Sequence, residues 1–206
     1  MPTVHIIEDD ESFRESLIDL FRSADIDVVT YPNTAEFLNY AGPGGLGCLL
    51  LDVRLPGVNG LDFQSELERT GNRLPVIFMT GYGDIPMSVR AMKAGALDFL
   101  AKPFKDQDVL DAVRAAFEVS STRQQQSEAV GALMARYRSL TQREREVMQE
   151  VVKGLMNKQI AFNLGISEIT VKIHRGNGMR KMEAKSVTDL VKKFEMLEAN
   201  RPHTDV

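Results

Sequence analysis

The sequence predicts an α/β fold, a doubly wound sheet of five parallel strands, followed by a small all-α domain. In the first 120 of the 206 residues, short apolar runs alternate with segments of helical spacing. That alternation favours a parallel sheet with helices on both faces. Helical periodicity and helix-capping residues recur from about residue 130 to residue 199. The length suits two small domains better than one.

The five predicted strands are short apolar runs, most of which lead into a polar residue. They cover residues 3–7, 26–31, 48–51, 75–79 and 97–100. The third run, Cys48 to Leu51, is continuously apolar, as expected for a strand that is buried on both faces. Asp52 follows it directly, and Thr80 and Lys102 follow the fourth and fifth strands.

Helices are predicted between these strands. Residues 11–24 have helical spacing, with Phe13, Leu17, Leu20 and Phe21 on one face. Asn33 and Glu36 form a capping box for a second helix, which ends before a loop at residues 42–45. The other helices follow a turn at residues 56–57 and reach about residue 70, begin at Asp84 and reach residue 93, and begin near Asp106.

The second half of the chain begins with a polar stretch, residues 121–138, which we interpret as a partly helical linker. The predicted domains are therefore residues 1–120 and 139–206, with the linker between them. Thr141 and Glu144 form a capping box. A short helix at residues 157–164 ends at Gly165, Ser167 caps the next helix at about residues 168–182, and Ser186 begins the last one.

Charge is distributed unevenly along the chain. Residues 1–120 hold 19 acidic and 10 basic side chains, whereas residues 121–206 hold 10 acidic and 15 basic ones, which hints at an acidic partner for the second half. The N-terminus has no secretory pattern, and no apolar run is long enough to span a bilayer. With one cysteine, Cys48, no disulfide can form within the chain. We expect a cytoplasmic protein without a membrane partner.

Several polar residues follow predicted strands: Glu8, Asp9, Asp52, Thr80 and Lys102. Because parallel strands present their carboxyl ends at one edge of a sheet, these side chains are expected to meet there. Three neighbouring carboxylates repel one another, and a divalent cation such as Mg²⁺ relieves that repulsion through its preference for hard oxygen ligands. A carboxylate can also act as a nucleophile toward phosphorus, while a lysine stabilises the phosphoryl oxygens.

Four sequence blocks resemble the signature motifs of response regulator receivers over residues 3–118. They are Ile-Ile-Glu-Asp-Asp ending at Asp10, Leu-Leu-Leu-Asp-Val-Arg-Leu-Pro-Gly around Asp52, Met-Thr-Gly around Thr80, and Ala-Lys-Pro-Phe around Lys102. Each block alone is weak, but together, in this order and spacing, they are specific.

The resemblance implies a role for each residue of the sheet edge. Asp52 is the expected phosphoacceptor, and Asp9, Glu8 and the main-chain carbonyl of Arg54 complete an Mg²⁺ site with it. Thr80 and Lys102 are expected to bind the phosphoryl group, and Phe99 to swing inward with Thr80. Glu8 stands where many members of the family have aspartate, so we expect an altered metal geometry rather than loss of the site.

The C-terminal segments resemble the LuxR-type helix-turn-helix, over about residues 139–199. With the receiver, the whole chain is similar to the FixJ/NarL family of transcription regulators. The helix beginning at Glu168 is the expected recognition helix, and residues 153–185 carry seven basic side chains against two acidic ones. The expected DNA-contacting residues are Thr170, Lys172, Ile173 and Arg175 toward the bases, and Lys158, Arg180, Lys181 and Lys185 toward phosphates.

The function implied is a phosphorylation-dependent transcription regulator. A sensor histidine kinase is the expected phosphoryl donor, phosphorylation is expected to favour a homodimer, and the dimer is expected to bind a specific duplex DNA operator. The only chemistry expected is self-catalysed phosphoryl acceptance and hydrolysis at Asp52.

Two alternatives remain at this point. An aspartate-nucleophile phosphatase also places an aspartate at a strand end, but its pattern has a second aspartate two residues later, where this chain has Arg54. The other alternative is a phosphorylation-controlled regulator that binds protein or RNA. The outward residues Lys172, Ile173 and Arg175 favour duplex DNA.

Overall fold

The computed structural model describes residues 1–40, 45–81 and 85–200. The chain divides into two compact units, the first spanning Met1–Gln124 and the second beginning at Gln125. Most of the predicted loop at residues 42–45, and the predicted helix-capping residue Asp84, lie outside the described residues.

The strands and helices follow one another largely as predicted. The strands are β1 (Thr3–Ile7), β2 (Asp27–Tyr31), β3 (Gly47–Asp52), β4 (Arg54–Leu55), β5 (Val58–Asn59), β6 (Val76–Thr80) and β7 (Asp98–Ala101). The helices are α1 (Glu11–Ser23), α2 (Thr34–Tyr40), α3 (Gly60–Arg69), α4 (Ile85–Lys93), α5 (Asp106–Arg138), α6 (Gln142–Val152), α7 (Asn157–Leu164), α8 (Glu168–Lys181) and α9 (Val187–Ala199).

Five of the strands form one parallel sheet in the order β2-β1-β3-β6-β7. The predicted fold class, a five-stranded parallel doubly wound sheet followed by a helical domain, is confirmed. The capping interaction predicted for α2 is also present, since the Glu36 N–H donates to Asn33 Oδ1 at 2.9 Å.

Alternate residues of each strand enter two separate cores, one on each face of the sheet. Leu49 and Leu51 of β3 pack with residues of α2, α3 and α4. Cys48 and Leu50 of the same strand pack with residues of α1 and α5. Because β3 is buried on both faces, it is apolar at every position until it reaches Asp52, where the strand ends at the sheet edge.

A small antiparallel hairpin, which the sequence analysis did not predict, follows β3. Strands β4 and β5 pair Arg54 with Asn59 and Leu55 with Val58. The turn between them consists of Pro56 and Gly57, and Gly57 has a φ of 81°. Proline before a glycine of positive φ is the pattern of a type II turn, so the hairpin returns the chain to the start of α3 within a few residues of Asp52.

Helix α5 is one unbroken helix of 33 residues. Its first turns bury Val109, Val113 and Ala116 against the sheet of the first unit. The segment 121–138, predicted to be a partly helical linker, lies wholly within this helix. Near its end Leu133 is buried in the core of the second unit, so the second core begins before the predicted boundary at residue 139.

The second unit is all helical, and its helices begin and end at the capping residues that the sequence indicated. Thr141 and Glu144 form the predicted capping box at the start of α6. Gly165 ends α7 in the left-handed conformation, with a φ of 65°. The Ser167 hydroxyl accepts from the Thr170 N–H at the start of α8. Together these caps fix the turn between α7 and α8.

Among the residues described, no helix is both long enough and apolar enough to cross a membrane.

Two glycines of α8 provide a matched test of packing in the second unit. A Cβ at Gly176 would meet no atom within 4 Å, whereas a Cβ at Gly178 would lie 2.8 Å from Met148 Cγ and Sδ. We expect Gly176→Ala to stabilise α8 by about 1 kcal/mol through helix propensity. We expect Gly178→Ala to destabilise it by about 1–3 kcal/mol, because the buried Met148 must move.

Amide hydrogen exchange of α8 in the full chain measures both effects. Slower exchange in the Gly176→Ala variant and faster exchange in the Gly178→Ala variant are expected. Equal exchange in the two variants would contradict the packing of Gly178 against Met148.

Candidate functional site

Three carboxylates meet at the carboxyl edge of the sheet. One oxygen from each of Glu8, Asp9 and Asp52 lies within 4.8 Å of the others. Glu8 is 1% exposed and Asp52 is 7% exposed, while Asp9 is open to solvent. Glu8 and Asp9 directly follow β1, and Asp52 ends the neighbouring strand β3, so the parallel pairing of these strands places the three acids together as the sequence predicted.

Lys102 lies between two of these acids. Its Nζ is 2.6 Å from Glu8 Oε2 and 2.6 Å from Asp52 Oδ2. Lys102 directly follows β7, and its N–H donates to the Thr80 carbonyl at 2.7 Å, which fixes the base of the side chain. Burial lowers the pKa of Lys102, but hydrogen bonds to Asp52 and Glu8 outweigh it and raise the pKa. Lys102 is therefore held as an ammonium.

Glu8 is a buried carboxyl group whose ionisation is unfavourable. Burial raises its pKa to about 7, and the charge of Asp52 adds to that rise, although the hydrogen bond from Lys102 opposes both. A buried carboxylate that ionises with difficulty is stabilised by any further positive charge brought beside it. A cation beside Glu8 would therefore stabilise its ionised form.

Asp52 is held in place by backbone groups. The N–H of Arg54 donates to Asp52 Oδ1 at 2.8 Å, which leaves Oδ2 for Lys102. The start of α3 packs tightly on the other side, where a Cβ at Gly60 would lie only 2.6 Å from the Asp52 carbonyl oxygen. Any side chain at residue 60 would therefore displace the backbone of Asp52.

Thr80 and Phe99 lie on the next strands along the sheet. Thr80 is fully buried at the end of β6 and pairs with Ala101. Phe99 is half-buried on β7, beside Phe78, and packs against the core formed with α2, α3 and α4. The structure places Thr80 at the same edge as Asp52, and it places Phe99 one strand further and deeper. Their predicted switch roles stay predictions.

The donor set suits a hard divalent cation. All three ligand groups offer carboxylate oxygens, the ligands that Mg²⁺ prefers. The predicted fourth group, the Arg54 carbonyl, belongs to the residue whose N–H already binds Asp52. The buried, proton-binding Glu8 is the observation that favours such an ion, because a cation removes the cost of its ionisation.

Phe13 packs at the core face of α1, as its helical spacing predicts, and also contacts this site. Its ring lies under the ammonium of Lys102, with 4.2 Å between Nζ and the ring centroid. The spacing of apolar residues along α1 gave no signal for this contact, since it depends on where β7 places Lys102.

In the second unit, one face of α8 is exposed and carries Lys172 and Ile173, as predicted, together with Gly176. Ile169 belongs to the same face and is 73% exposed. Ile169 is not among the predicted DNA-contacting residues, although its spacing of four residues from Ile173 is the signal that would have found it. An exposed helix face with a lysine and two isoleucines can offer both polar and apolar contacts to base edges.

Two predicted base-contacting residues are tied to their own domain. The Arg175 guanidinium donates to Asn157 Oδ1 at 2.8 Å. The Thr170 hydroxyl lies 2.8 Å from that of Ser167, the residue that caps α8. Both side chains are thus oriented by residues at the starts of α7 and α8, and both stay only partly buried.

The phosphate-contact candidates fall into two groups. Lys158, Arg180 and Lys185 are exposed, although Arg180 also donates to Asn177. Lys181 is half-buried, and its Nζ lies 2.6 Å from Glu144 Oε2.

Glu144 explains the position of Lys181. Burial would raise the pKa of Glu144, but hydrogen bonds from Lys181 and from Thr141 lower it. Lys181 therefore neutralises a buried carboxylate of α6, and its predicted phosphate contact stays a prediction.

Comparisons with known proteins agree with this geometry. A family model for the response regulator receiver domain matches residues 4–114. A second model, for bacterial regulatory proteins of the luxR family, matches residues 138–194. The chain therefore belongs to the response regulators that join a receiver domain to a luxR-family DNA-binding domain.

Individual proteins are similar to this chain over most of its length. Nodulation protein W of Bradyrhizobium diazoefficiens is 50% identical over 202 residues, covering 98% of this chain and 89% of that protein. FixJ, a transcriptional regulatory protein of Azorhizobium caulinodans, is 45% identical over 189 residues, covering 92% and 90%. The solved structure of the response regulator StyR is 46% identical, with a TM-score of 0.82, and covers 94% of this chain and 98% of that one. Like these FixJ-type proteins, the chain is a regulator of transcription.

The raised pKa of Glu8 predicts a pH dependence of stability in the absence of divalent cations. Between its ordinary pKa of 4.5 and its folded pKa of about 7, the folded chain binds the Glu8 proton more tightly than the unfolded chain. Protonation of Glu8 therefore stabilises the folded chain, and the free energy of unfolding decreases as the pH rises through that window. Glu8→Gln should flatten this loss.

Urea denaturation in chelator, followed by circular dichroism from pH 4.5 to 7.5, measures the effect of Glu8. Glu15→Gln is the control, since Glu15 is an exposed carboxylate on the adjacent helix α1. If both variants follow the pH profile of the unaltered chain, the proton assigned to Glu8 lies elsewhere.

Proposed function

We propose that Asp52 accepts a phosphoryl group from a sensor histidine kinase, and that the phosphorylated chain binds specific duplex DNA. The observation that carries the first part is the position of Lys102, whose ammonium lies 2.6 Å from Asp52 Oδ2. The backbone N–H of Arg54 donates to the other carboxylate oxygen, Oδ1. Oδ2 is then the nucleophile, with a fixed positive charge beside the place where phosphoryl oxygens arrive.

The acidic cluster supports Mg²⁺ as the cofactor. Glu8, Asp9 and Asp52 would hold the ion, with the Arg54 carbonyl as a further ligand. When bound, Mg²⁺ supplies charge neutralisation for the phosphoryl oxygens. The chain's own part is to orient Asp52 through the Arg54 N–H and to keep Lys102 charged.

The proposed reactions are limited to the acceptance of a phosphoryl group by Asp52 and its hydrolysis there. In aspartate-nucleophile phosphatases a second carboxylate, two residues after the nucleophile, acts as general acid. Arg54 holds that position here and cannot donate a proton in this way. Acceptance and slow hydrolysis at Asp52 suit a regulator rather than an enzyme that turns over a separate substrate.

Phosphorylation would act through Thr80 and Phe99 on the neighbouring surface of α4 and β7. Helix α4 exposes three large apolar side chains at helical spacing, Ile85 at 80%, Val89 at 45% and Met92 at 49%. A contiguous apolar strip on a helix surface is typical of a surface that becomes covered by a partner. It supports the proposal that phosphorylated chains form a homodimer through this face.

The exposed face of α8 supports the DNA-binding part of the proposal. Lys172 and Ile173 project from a helix whose start is fixed by the Ser167 cap, as a recognition helix in a major groove requires. Lys158, Arg180 and Lys185 are available for phosphates. A DNA-binding domain also implies action where the chromosome lies, which supports the cytoplasm as its location.

Asp52→Asn should abolish phosphorylation, because the amide is a poor nucleophile toward phosphorus. The measurement is incorporation of acid-labile phosphate from acetyl phosphate with Mg²⁺, followed by mass spectrometry of the intact chain. Asp10→Asn is the control, since Asp10 caps α1 and lies outside the acidic cluster. Labelling that survives in Asp52→Asn would overturn the assignment.

Lys172→Ala should weaken binding to the preferred duplex, selected from a random pool, by about 5- to 100-fold, the usual value of one good base contact. Lys158→Ala should instead weaken specific and random duplexes alike and reduce the salt dependence by about one counterion. Lys192→Ala, an exposed lysine of α9, is the control. If Lys172→Ala behaves like the control, or single-stranded RNA binds better than duplex DNA, this part of the proposal fails.

A further inference from the structure

Lys102 has a third partner besides its two carboxylates. The ring centroid of Phe13 lies 4.2 Å from Lys102 Nζ, well within the range of a cation–π interaction. Phe13 belongs to α1, whereas Lys102 follows β7. The aromatic ring thus covers one side of an ammonium whose side chain is only 17% exposed.

The ring is itself held in place. Phe104, two residues after Lys102, packs edge-on against Phe13, with 5.8 Å between centroids and 70° between ring planes. Phe13 remains half-buried at the rim of the core that also contains Leu17 and Phe21. Its ring face is therefore presented to Lys102 in a fixed orientation rather than hidden inside the core.

The three partners of Lys102 respond differently when a cation enters the site. A divalent cation among the carboxylates repels the ammonium and competes with it for Glu8. A phosphoryl group on Asp52 likewise removes the oxygen that Lys102 now binds. The Phe13 ring carries no charge and is not a ligand of the divalent cation. Neither the cation nor the phosphoryl group therefore removes it as a partner of the ammonium.

We propose that Phe13 is a positioning residue, which holds the Lys102 ammonium beside the phosphoacceptor by a cation–π interaction when its carboxylate bonds are weakened. This inference rests on the proposed phosphoryl acceptance at Asp52. A purely packing role would need only an apolar side chain of similar size, whereas the positioning role needs an aromatic face.

Three variants separate these roles in the full chain. Phe13→Leu removes the ring and keeps an apolar side chain, and Phe13→Tyr keeps the ring. Phe117→Leu is the matched control, because Phe117 is half-buried against the same core but lines a groove with Pro2 and Leu46. Those two residues precede β1 and β3, so Phe117 lies at the opposite edge of the sheet from Lys102.

The first measurement is the initial rate of labelling by acetyl phosphate, which needs no kinase. Phe13→Leu should lower this rate by about 3- to 10-fold, in proportion to the loss of a partly desolvated cation–π interaction. Phe13→Tyr should restore the rate of the unaltered chain, and Phe117→Leu should leave it unchanged.

The second measurement reports on the contact itself. In a nitrogen-15-labelled chain without added phosphoryl donor, ring current shifts the Lys102 ammonium protons upfield when they lie over the Phe13 face. This shift should persist in Phe13→Tyr and Phe117→Leu, and on addition of Mg²⁺, and it should disappear in Phe13→Leu.

The outcomes distinguish this inference from the proposed function. If the unaltered chain is not labelled, or Asp52→Asn is labelled equally, the proposed function fails. If Asp52 is labelled but Phe13→Leu matches Phe13→Tyr in rate, or the upfield shift is absent from the unaltered chain, the positioning role is overturned while the proposed function stands. An equal loss of rate in Phe117→Leu would also overturn it, since core packing would then explain the effect.

Discussion

The first unit depends on the placement of one ammonium between two buried carboxylates. Lys102 and Glu8 follow the strands β7 and β1, and Asp52 ends β3 between them, so only the assembled parallel sheet brings the three groups within 2.6 Å contacts. Without Lys102, Glu8 and Asp52 would be two like charges in a poorly solvated place, which costs more than a surface pair gains. In the proposed function a divalent cation takes over part of the charge neutralisation that Lys102 supplies, which leaves the Lys102 ammonium for the phosphoryl oxygens on Asp52.

The second unit uses a similar pair for a different purpose. Glu144 of α6 is buried and is neutralised by Lys181 of α8 at 2.6 Å, while the Glu144 side chain also accepts from the Thr141 N–H. Among the residues that the structure describes, Glu144 belongs to no group of three converging acids, and its pair with Lys181 links α6 to α8. A lysine–glutamate contact becomes a chemical site only where further acids converge on it, as Asp9 and Asp52 do in the first unit.

Much of the architecture could be predicted because burial on both faces forces an apolar run that stops where the strand ends, as β3 stops at Asp52. Three features could not. The β4–β5 hairpin has two residues in each strand, too few for a period. In the stretch 121–138 helical spacing is confined to the apolar residues from Val130 onward, which predicts a helix for only part of it, yet α5 runs through the whole stretch. The contacts of Phe13 with Lys102 and of Lys181 with Glu144 join segments that are distant in the chain, so neither helical spacing nor a cluster of basic residues reveals them.

Arg175 enters any encounter with DNA already ordered. Its guanidinium is bound to Asn157, so much of its rotamer freedom is lost when the domain folds rather than when a groove is occupied. Lys172 on the same helix is exposed and retains that freedom, which immobilisation against a base must overcome. In the proposed complex with DNA, the entropic cost of ordering Arg175 is therefore met when the domain folds, and that of ordering Lys172 when the duplex binds.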